Sequence, residues 1–154
     1  MGRTEIPGRW NDIDHDGVED IGDDTYDGGP GRDSVTAARA SATPVLFDLS
    51  AGRASSVSLG EDTLLNLEIV IGSSHDDTII GDEGPNWLYG GHNGFRLGRR
   101  LPMGNDRLIG RGGDDVLDGL DDTVGTDHYD SIDGGEGNDS CPADADDELV
   151  SCEI

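Results

Sequence analysis

Nine aspartate or asparagine side chains recur along the chain, and each is followed two residues later by a hydrophobic side chain. Four of the intervals between them are nine residues long. Aspartate has a short carboxylate arm, which suits tight turns and the ligation of hard cations. The spacing therefore predicts carboxylates presented at equal steps to bind metal ions. The recurring positions are Asp24, Asp33, Asp62, Asp77, Asn86, Asp106, Asp115, Asp130 and Asp139.

Glycines precede most of these acids, at the first, second and fourth places of a nine-residue unit. Six residues make a tight turn, where glycine supplies backbone angles that other residues avoid, and three make a short strand with one inward side chain. Two units complete one coil, so the acids stack in two rows and repel one another. Calcium accepts about six to eight oxygen ligands and would remove that repulsion. The predicted inward side chains are Tyr26, Val35, Leu64, Ile79, Leu88, Leu108, Leu117, Ile132 and Cys141.

The repeat phrases resemble the RTX, or haemolysin-type, calcium-binding nonapeptide G-G-x-G-x-D-x-(aliphatic)-x. The segments GGPGRDSVT (28–36) and GGEGNDSC (134–141) match it well, and GRGGDDVLD (110–118) keeps three of the four key residues. The resemblance covers roughly residues 22–154. It implies an all-β, right-handed parallel β-roll, or β-solenoid, with several Ca²⁺ ions ligated by sixth-position carboxylates and turn carbonyls, and with folding driven by the metal.

Alternate assignment of the turns places the acids in two rows. The first row contains Asp62, Asn86, Asp115 and Asp139, and the second contains Asp77, Asp106 and Asp130. Insertions lie in the approach to second-row turns, so we expect the better calcium sites in the first row, on either side of Asp115. The longest insertion, 93–103, is basic and apolar. It is either a docking loop for an extracellular protein or glycan, or a loop whose arginines pair with nearby aspartates.

The segment DIDHDGVED (12–20) places alternate carboxylates before a glycine. It resembles the calcium loops of thrombospondin type 3 repeats, which implies a further calcium site within an N-terminal region, 1–21. The alternative is a solvated acidic tail. The candidate ligands are Asp12, Asp14, Asp16 and Asp20.

Two cysteines, Cys141 and Cys152, lie close together near the end of the sequence. An even count in such a chain favours a disulfide and an oxidising compartment, and reduced thiols are the alternative. We expect the β-roll to span 22–142, with wider coils at 37–71 that contain two strands joined near Gly52. Residues 143–154 would then leave the repeat, so that Cys152 folds back over the open end as a disulfide cap.

Composition excludes several classes of function. The chain has 34 acidic and 10 basic residues and a formal net charge of −24, which disfavours binding to nucleic acids and anionic membranes. No run is long and apolar enough to insert into a membrane, and no motif of a known catalytic site is present. We therefore expect a secreted, non-enzymatic, calcium-dependent structural or adhesive module. The alternatives are a non-catalytic C-terminal domain of a secreted hydrolase and an acidic disordered protein.

Overall fold

The computed structural model describes residues 10–12, 22–37, 43–57, 60–91, 104–120, 128–142 and 146–153. In these residues the chain forms thirteen short strands and no helix. Within the same ranges, no helix has the length and hydropathy needed to cross a membrane. The expectation of an all-β protein is therefore confirmed for the described part of the chain.

One sheet has five strands, and every neighbouring pair in it is parallel. Parallel neighbours need a connection that crosses away from the sheet and returns, so this sheet requires a second layer to carry the intervening chain. In spatial order its strands are β1 (Trp10–Asp12), β3 (Ser34–Thr36), β7 (Ile69–Ile71), β9 (Trp87–Tyr89) and β11 (Val116–Asp118).

The second sheet has eight strands, and they are parallel except where β5 pairs with its two neighbours. From Ile69 to Glu136 the chain alternates strand by strand between the two sheets. In spatial order the strands are β13 (Glu148–Val150), β12 (Ser131–Glu136), β10 (Arg107–Gly112), β8 (Thr78–Ile80), β4 (Leu46–Asp48), β5 (Arg53–Ser56), β6 (Gly60–Leu65) and β2 (Thr25–Asp27).

The core lies between the sheets and consists of one inward side chain from most strands. In β7, β8, β9 and β11 only the middle residue is buried, because successive side chains of a strand point to opposite faces. All nine side chains that the sequence predicts to point inward are buried, and Phe47, Val70 and Ala54 join them. The register aligns them: Leu88 lies opposite Leu117, and Leu108 opposite Ile132.

The segment 37–71 differs from the wider coils that we expected. The two predicted strands are present as β4 and β5, but they pair antiparallel, and β6 then pairs antiparallel with β5. The local reason is a tight turn: Gly52 donates its N–H to the carbonyl of Leu49 and has a positive φ of 65°, which glycine adopts at low cost. The carboxylate of Asp48 accepts the N–H of Ala51 and so supports the same turn.

The two ends of the chain also add strands. β1 includes Asp12 and pairs with β3, although residues 1–21 were expected to form a separate tail. At the other end β13 pairs in parallel with β12, and Glu153 forms a bridge to Ser140. The described residues 146–153 therefore do not leave the strand pattern, because they add one strand or bridge to each sheet. The expected disulfide between Cys141 and Cys152 is present.

Candidate metal centre

The sixth-position acids are buried beneath the turns that lead into the strands. Asp115 and Asp139 are each 1% exposed, although an isolated carboxylate in such a place is costly. Most of the predicted set behaves in the same way. The buried members are Asp33, Asp62, Asp77, Asn86, Asp106, Asp115, Asp130 and Asp139, whereas Asp24 is only half-buried.

In the first row, which precedes strands of the five-stranded sheet, a ladder of hydrogen bonds joins successive acids. Asn86 donates its backbone N–H to Oδ1 of Asp115 at 2.8 Å, and Asp115 donates its own to Oδ1 of Asp139 at 2.9 Å. The same relation joins Asp33 to Oε2 of Glu68 at 2.9 Å. One oxygen of each accepting carboxylate is therefore used to hold the neighbouring turn in place.

The second row, which precedes strands of the eight-stranded sheet, has an equivalent ladder. Asp77 donates its N–H to Oδ1 of Asp106 at 2.7 Å, and Asp106 donates to Oδ1 of Asp130 at 2.8 Å. Asp130 continues the ladder by donating to Oδ1 of Asp147 at 3.1 Å. Backbone N–H donors stabilise the charged form of a carboxylate, so both rows are arranged to hold ionised acids.

The second carboxylate oxygen has a different environment. Oδ2 of Asp115 and Oδ2 of Asp139 are buried and accept no hydrogen bond. The corresponding Oδ2 atoms of Asp33, Asp106 and Asp130 are also buried. Buried polar oxygens normally have a partner, and one that accepts no hydrogen bond indicates a strained group or the place of an ion. The first-row oxygens at Asp115 and Asp139 are therefore available to a cation.

A narrow gap lies beside each of these oxygens. A Cβ atom placed on Gly110 would overlap with Oδ2 of Asp115 and with the carbonyl oxygen of Gly134 in the next coil, both well inside 3.0 Å. The first-position glycine therefore leaves open a space that any other side chain would fill. Two oxygens of different chemical types, a carboxylate and a backbone carbonyl, border that space, and both are ligands that calcium prefers.

The insertions do not pull the second-row turns apart. A Cβ atom on Gly90 would overlap with Oδ2 of Asp106, and one on Gly119 would overlap with Oδ2 of Asp130. The halves of each turn therefore meet although 93–103 or 121–127 lies between them in sequence. Second-row sites at Asp106 and Asp130 therefore keep the same relation of glycine to carboxylate that Gly110 has to Asp115, although insertions interrupt their turns.

Two of the predicted ligands have their oxygens engaged by proton donors. Asp77 accepts the N–H of Val45 at 2.7 Å and the hydroxyl of Ser73 at 3.0 Å on Oδ1, and the N–H of Ser73 on Oδ2. Oδ1 of Asn86 accepts the N–H of Asp82 at 2.8 Å. These two side chains hold their own turns through hydrogen bonds, so they are weaker candidates for ligation than Asp115 and Asp139.

Burial and crowding of like charges raise the pKa of several of these acids. The pKa of Asp115 is raised from 3.8 to about 6, mainly by burial and further by the negative charges of Asp139, Asp82 and Asp114. The pKa of Asp62 is also raised to about 6, by burial and by Asp24 and Asp23. Without a cation, the folded turns therefore disfavour the charged form that the ladder bonds support.

The structure corrects one row assignment and adds acids that the sequence reasoning missed. Asp62 lies in β6 and accepts the N–H of Asp24 at 2.9 Å, so it belongs to the second row and not the first. Glu68 occupies the first-row place before β7. Its sequence signal was present, because Glu68 lies nine residues before Asp77 and two before the buried Val70. Asp147 gave a weaker signal through Leu149, two residues later.

Some predicted sites lie outside the described residues. These are Asp14, Asp16 and Asp20 of the N-terminal loop and all of the 93–103 insertion. Asp12 is the last residue of β1, and only its backbone is described. The thrombospondin-like loop and the docking loop stay predictions.

The described residues fit calcium through a mixed ligand set. They contain no group of three or more His, Cys, Asp or Glu side chains that converges on one point. The reason is geometric: each turn contributes one buried carboxylate, and the nearest other oxygens are backbone carbonyls such as that of Gly134. A hard, oxygen-binding cation with flexible coordination suits such a site better than a transition metal that prefers nitrogen or sulfur.

Comparison with known proteins agrees with this geometry. No curated protein matches the chain. A family model of the RTX calcium-binding nonapeptide repeat matches four times, at residues 20–37, 71–93, 104–123 and 124–147. The matched segments contain Asp33, Asp77, Asp115 and Asp139, and together they cover more than half of the sequence. This chain belongs to the RTX calcium-binding nonapeptide repeat family.

Proposed function

We propose that the protein is a secreted structural or adhesive module, a right-handed parallel β-roll that folds when it binds several calcium ions. It acts by binding and not by catalysis. The single observation that carries the proposal is the pair of buried Oδ2 atoms of Asp115 and Asp139, which accept no hydrogen bond and border gaps kept open by glycine. A bound Ca²⁺ would supply positive charge to these oxygens and to the neighbouring carbonyls.

The proposed ligands fall into three groups. The first group contains Asp115 and Asp139 of the first row, which are the strongest candidates. Asp106 and Asp130 have the equivalent positions in the second row. Asp33, Asp24 and Asp62 form the sites nearer the start of the chain, while Asp77 and Asn86 act mainly through hydrogen bonds. The N-terminal set Asp12, Asp14, Asp16 and Asp20 would hold a separate ion.

The chemistry of the chain explains why folding would depend on the metal. Each two-strand coil contributes only about two inward side chains to the core, while its turns bring several negative charges together. Burial of those charges raises the pKa of Asp115 and Asp62 and so opposes the ionised fold at neutral pH. Binding of an ion to the folded state alone stabilises that state by mass action.

Secretion is supported by the Cys141–Cys152 disulfide, since such bonds persist mainly in oxidising compartments. Calcium at extracellular concentrations would then keep the module folded after export, because sites of the weaker class bind at about 10⁻⁴ to 10⁻³ M. The adhesive role is the part of the proposal that depends on the undescribed loop at 93–103.

The test is a calorimetric titration of the chelator-treated protein with CaCl₂, and with MgCl₂ as the control. We expect binding of several calcium ions per chain and much weaker binding of magnesium, which demands a tighter octahedral site. Absence of calcium binding at millimolar concentration would refute the proposal.

A further inference from the structure

The residues around Glu153 form hydrogen bonds like those of a repeat turn, although their sequence has no repeat motif. Glu153 accepts the N–H of Asp139 on Oε2 at 2.6 Å, just as Asp139 accepts the N–H of Asp115 on Oδ1 at 2.9 Å. The backbone continues the same pattern, because Glu153 donates its N–H to the carbonyl of Asp139 as Ser140 does to that of Asp115. Glu153 therefore continues the first-row ladder by one step.

The backbone carbonyl of Ser151 also lies in a place that a repeat carbonyl has elsewhere in the first row. A Cβ atom on Gly134 would overlap with the carbonyl oxygen of Ser151 and lie 2.7 Å from Oδ2 of Asp139. The corresponding atom on Gly110 would overlap with the carbonyl of Gly134 and with Oδ2 of Asp115. The carbonyl of Ser151 therefore lies beside Asp139 in the place that the carbonyl of Gly134 has beside Asp115.

The last gap also contains an oxygen that points to a ligand. Asp139 is 1% exposed, and its Oδ2 atom is buried and accepts no hydrogen bond. Its Oδ1 atom is already engaged by the N–H of Asp115. The unengaged oxygen, the Ser151 carbonyl and the nearby Glu153 carboxylate are three hard oxygen donors of the kind that calcium accepts.

The disulfide ties these donors together. Cys141 follows Asp139 by two residues, and Cys152 lies between Ser151 and Glu153. The two cysteines are 11 residues apart in sequence, and their Cα atoms are 5.8 Å apart. Since no further coil stacks on this end among the described residues, the covalent bond takes the place of the packing that holds the other turns.

We propose that Asp139, the carbonyl of Ser151 and Glu153 form a terminal calcium site, and that the Cys141–Cys152 disulfide holds it in its binding geometry. This inference rests on the proposed calcium binding of the repeats. Reduction by two thiol molecules breaks the S–S bond, leaves two cysteine thiols and oxidises the reductant to its own disulfide. Because coupling between two equilibria is reciprocal, calcium at this site makes the disulfide harder to reduce by the factor by which the disulfide strengthens calcium binding.

The first test compares Glu153→Gln with Glu148→Gln by calcium titration calorimetry. Both variants remove one negative charge close to the end of the chain, but the side chain of Glu148 is exposed on β13 and outside the ladder. Glu153→Gln keeps an oxygen to accept the N–H of Asp139, so the fold should persist. We expect one site to weaken about tenfold in Glu153→Gln, while Glu148→Gln binds as the unchanged protein does.

The second test measures the equilibrium between disulfide and thiols in glutathione buffers, by thiol trapping, with calcium and with chelator. Calcium should make the disulfide of the unchanged protein and of Glu148→Gln about tenfold harder to reduce. In Glu153→Gln this extra protection should largely disappear although the calcium-bound fold is retained. Protection that is equal in all three proteins would overturn the coupling, since it would then come from folding in general.

These outcomes separate the terminal site from the proposed function. If the unchanged protein binds calcium but Glu153→Gln keeps every site at unchanged affinity, the terminal site is refuted and the repeat sites stand. If the unchanged protein binds no calcium, both proposals fail together.

Discussion

Replacement of Asp115 by asparagine should change stability in opposite directions with and without calcium. The amide keeps an oxygen that can accept the N–H of Asn86, so the ladder bond of 2.8 Å is preserved. What is removed is the charge on a side chain that is 1% exposed and crowded by the charges of Asp139 and Asp82.

The size of each effect follows from the site. Burial raises the pKa of Asp115 from 3.8 to about 6, so the charged carboxylate disfavours the calcium-free fold by on the order of 2 kcal/mol at neutral pH. Asp115→Asn should recover much of that free energy in chelator. With calcium at about 1,000 times the dissociation constant, a lost site removes about 4.1 kcal/mol. After subtraction of the roughly 2 kcal/mol that removal of the charge recovers, the net loss of about 2 kcal/mol lowers the melting temperature by roughly 4–8 °C.

The assay is thermal unfolding followed by circular dichroism, at pH 7.5, in EGTA and in excess calcium. Asp114→Asn is the matched control, because Asp114 carries the same charge one residue earlier and is exposed. It should shift both melting temperatures by much less. A lower stability of Asp115→Asn in EGTA, or equal behaviour of the two variants in calcium, would contradict the role assigned to the buried charge of Asp115.

Three further predictions follow from the turns. Arg111 has a positive φ of 81°, which strains the backbone of any residue except glycine. Arg111→Gly should therefore raise the free energy of unfolding, measured by urea titration in calcium, by about 1 kcal/mol. A decrease would contradict this backbone strain. Gly110→Ala places a methyl group against Oδ2 of Asp115 and should abolish one calcium site in calorimetry. Gly84→Ala is the control and should keep every site, because its methyl group would lie 3.4 Å from the nearest atom, Oδ1 of Asp82. Because the folded-state pKa of Asp115 and of Asp62 is raised from 3.8 to about 6, their contribution to the stability of the calcium-free fold is fully present below about pH 4 and is lost as the pH rises through 6. Sheet content in EGTA should therefore increase on acidification, while calcium affinity should fall below pH 6; the opposite trends would contradict the assigned burial.

The sequence predicted the features that depend on local periodicity. The two-residue step from acid to hydrophobic side chain located the buried position of each repeat strand, as at Leu108 and Leu117, because alternation along a strand is a local property. The disulfide followed from the presence of two cysteines only. These features need no knowledge of which strands are neighbours.

The features that were missed depend on pairing between distant strands. The antiparallel course of β4 to β6 is set by the turn at Gly52 and by which strands pair across the sheet. The nine-residue spacing does not predict this pairing. That course moves Asp62 to the other row and leaves its first-row place to Glu68. Similarly, Ser151 and Glu153 reach Asp139 by strand pairing and the disulfide, not by a repeat motif.

The closest test of the central claim, that calcium completes the fold, is far-UV circular dichroism of the oxidised protein during calcium titration at neutral pH. We expect little sheet signal in excess EGTA and a cooperative gain of sheet as calcium fills the sites beside Asp115 and Asp139. The same sheet content in excess EGTA and in millimolar calcium would contradict it.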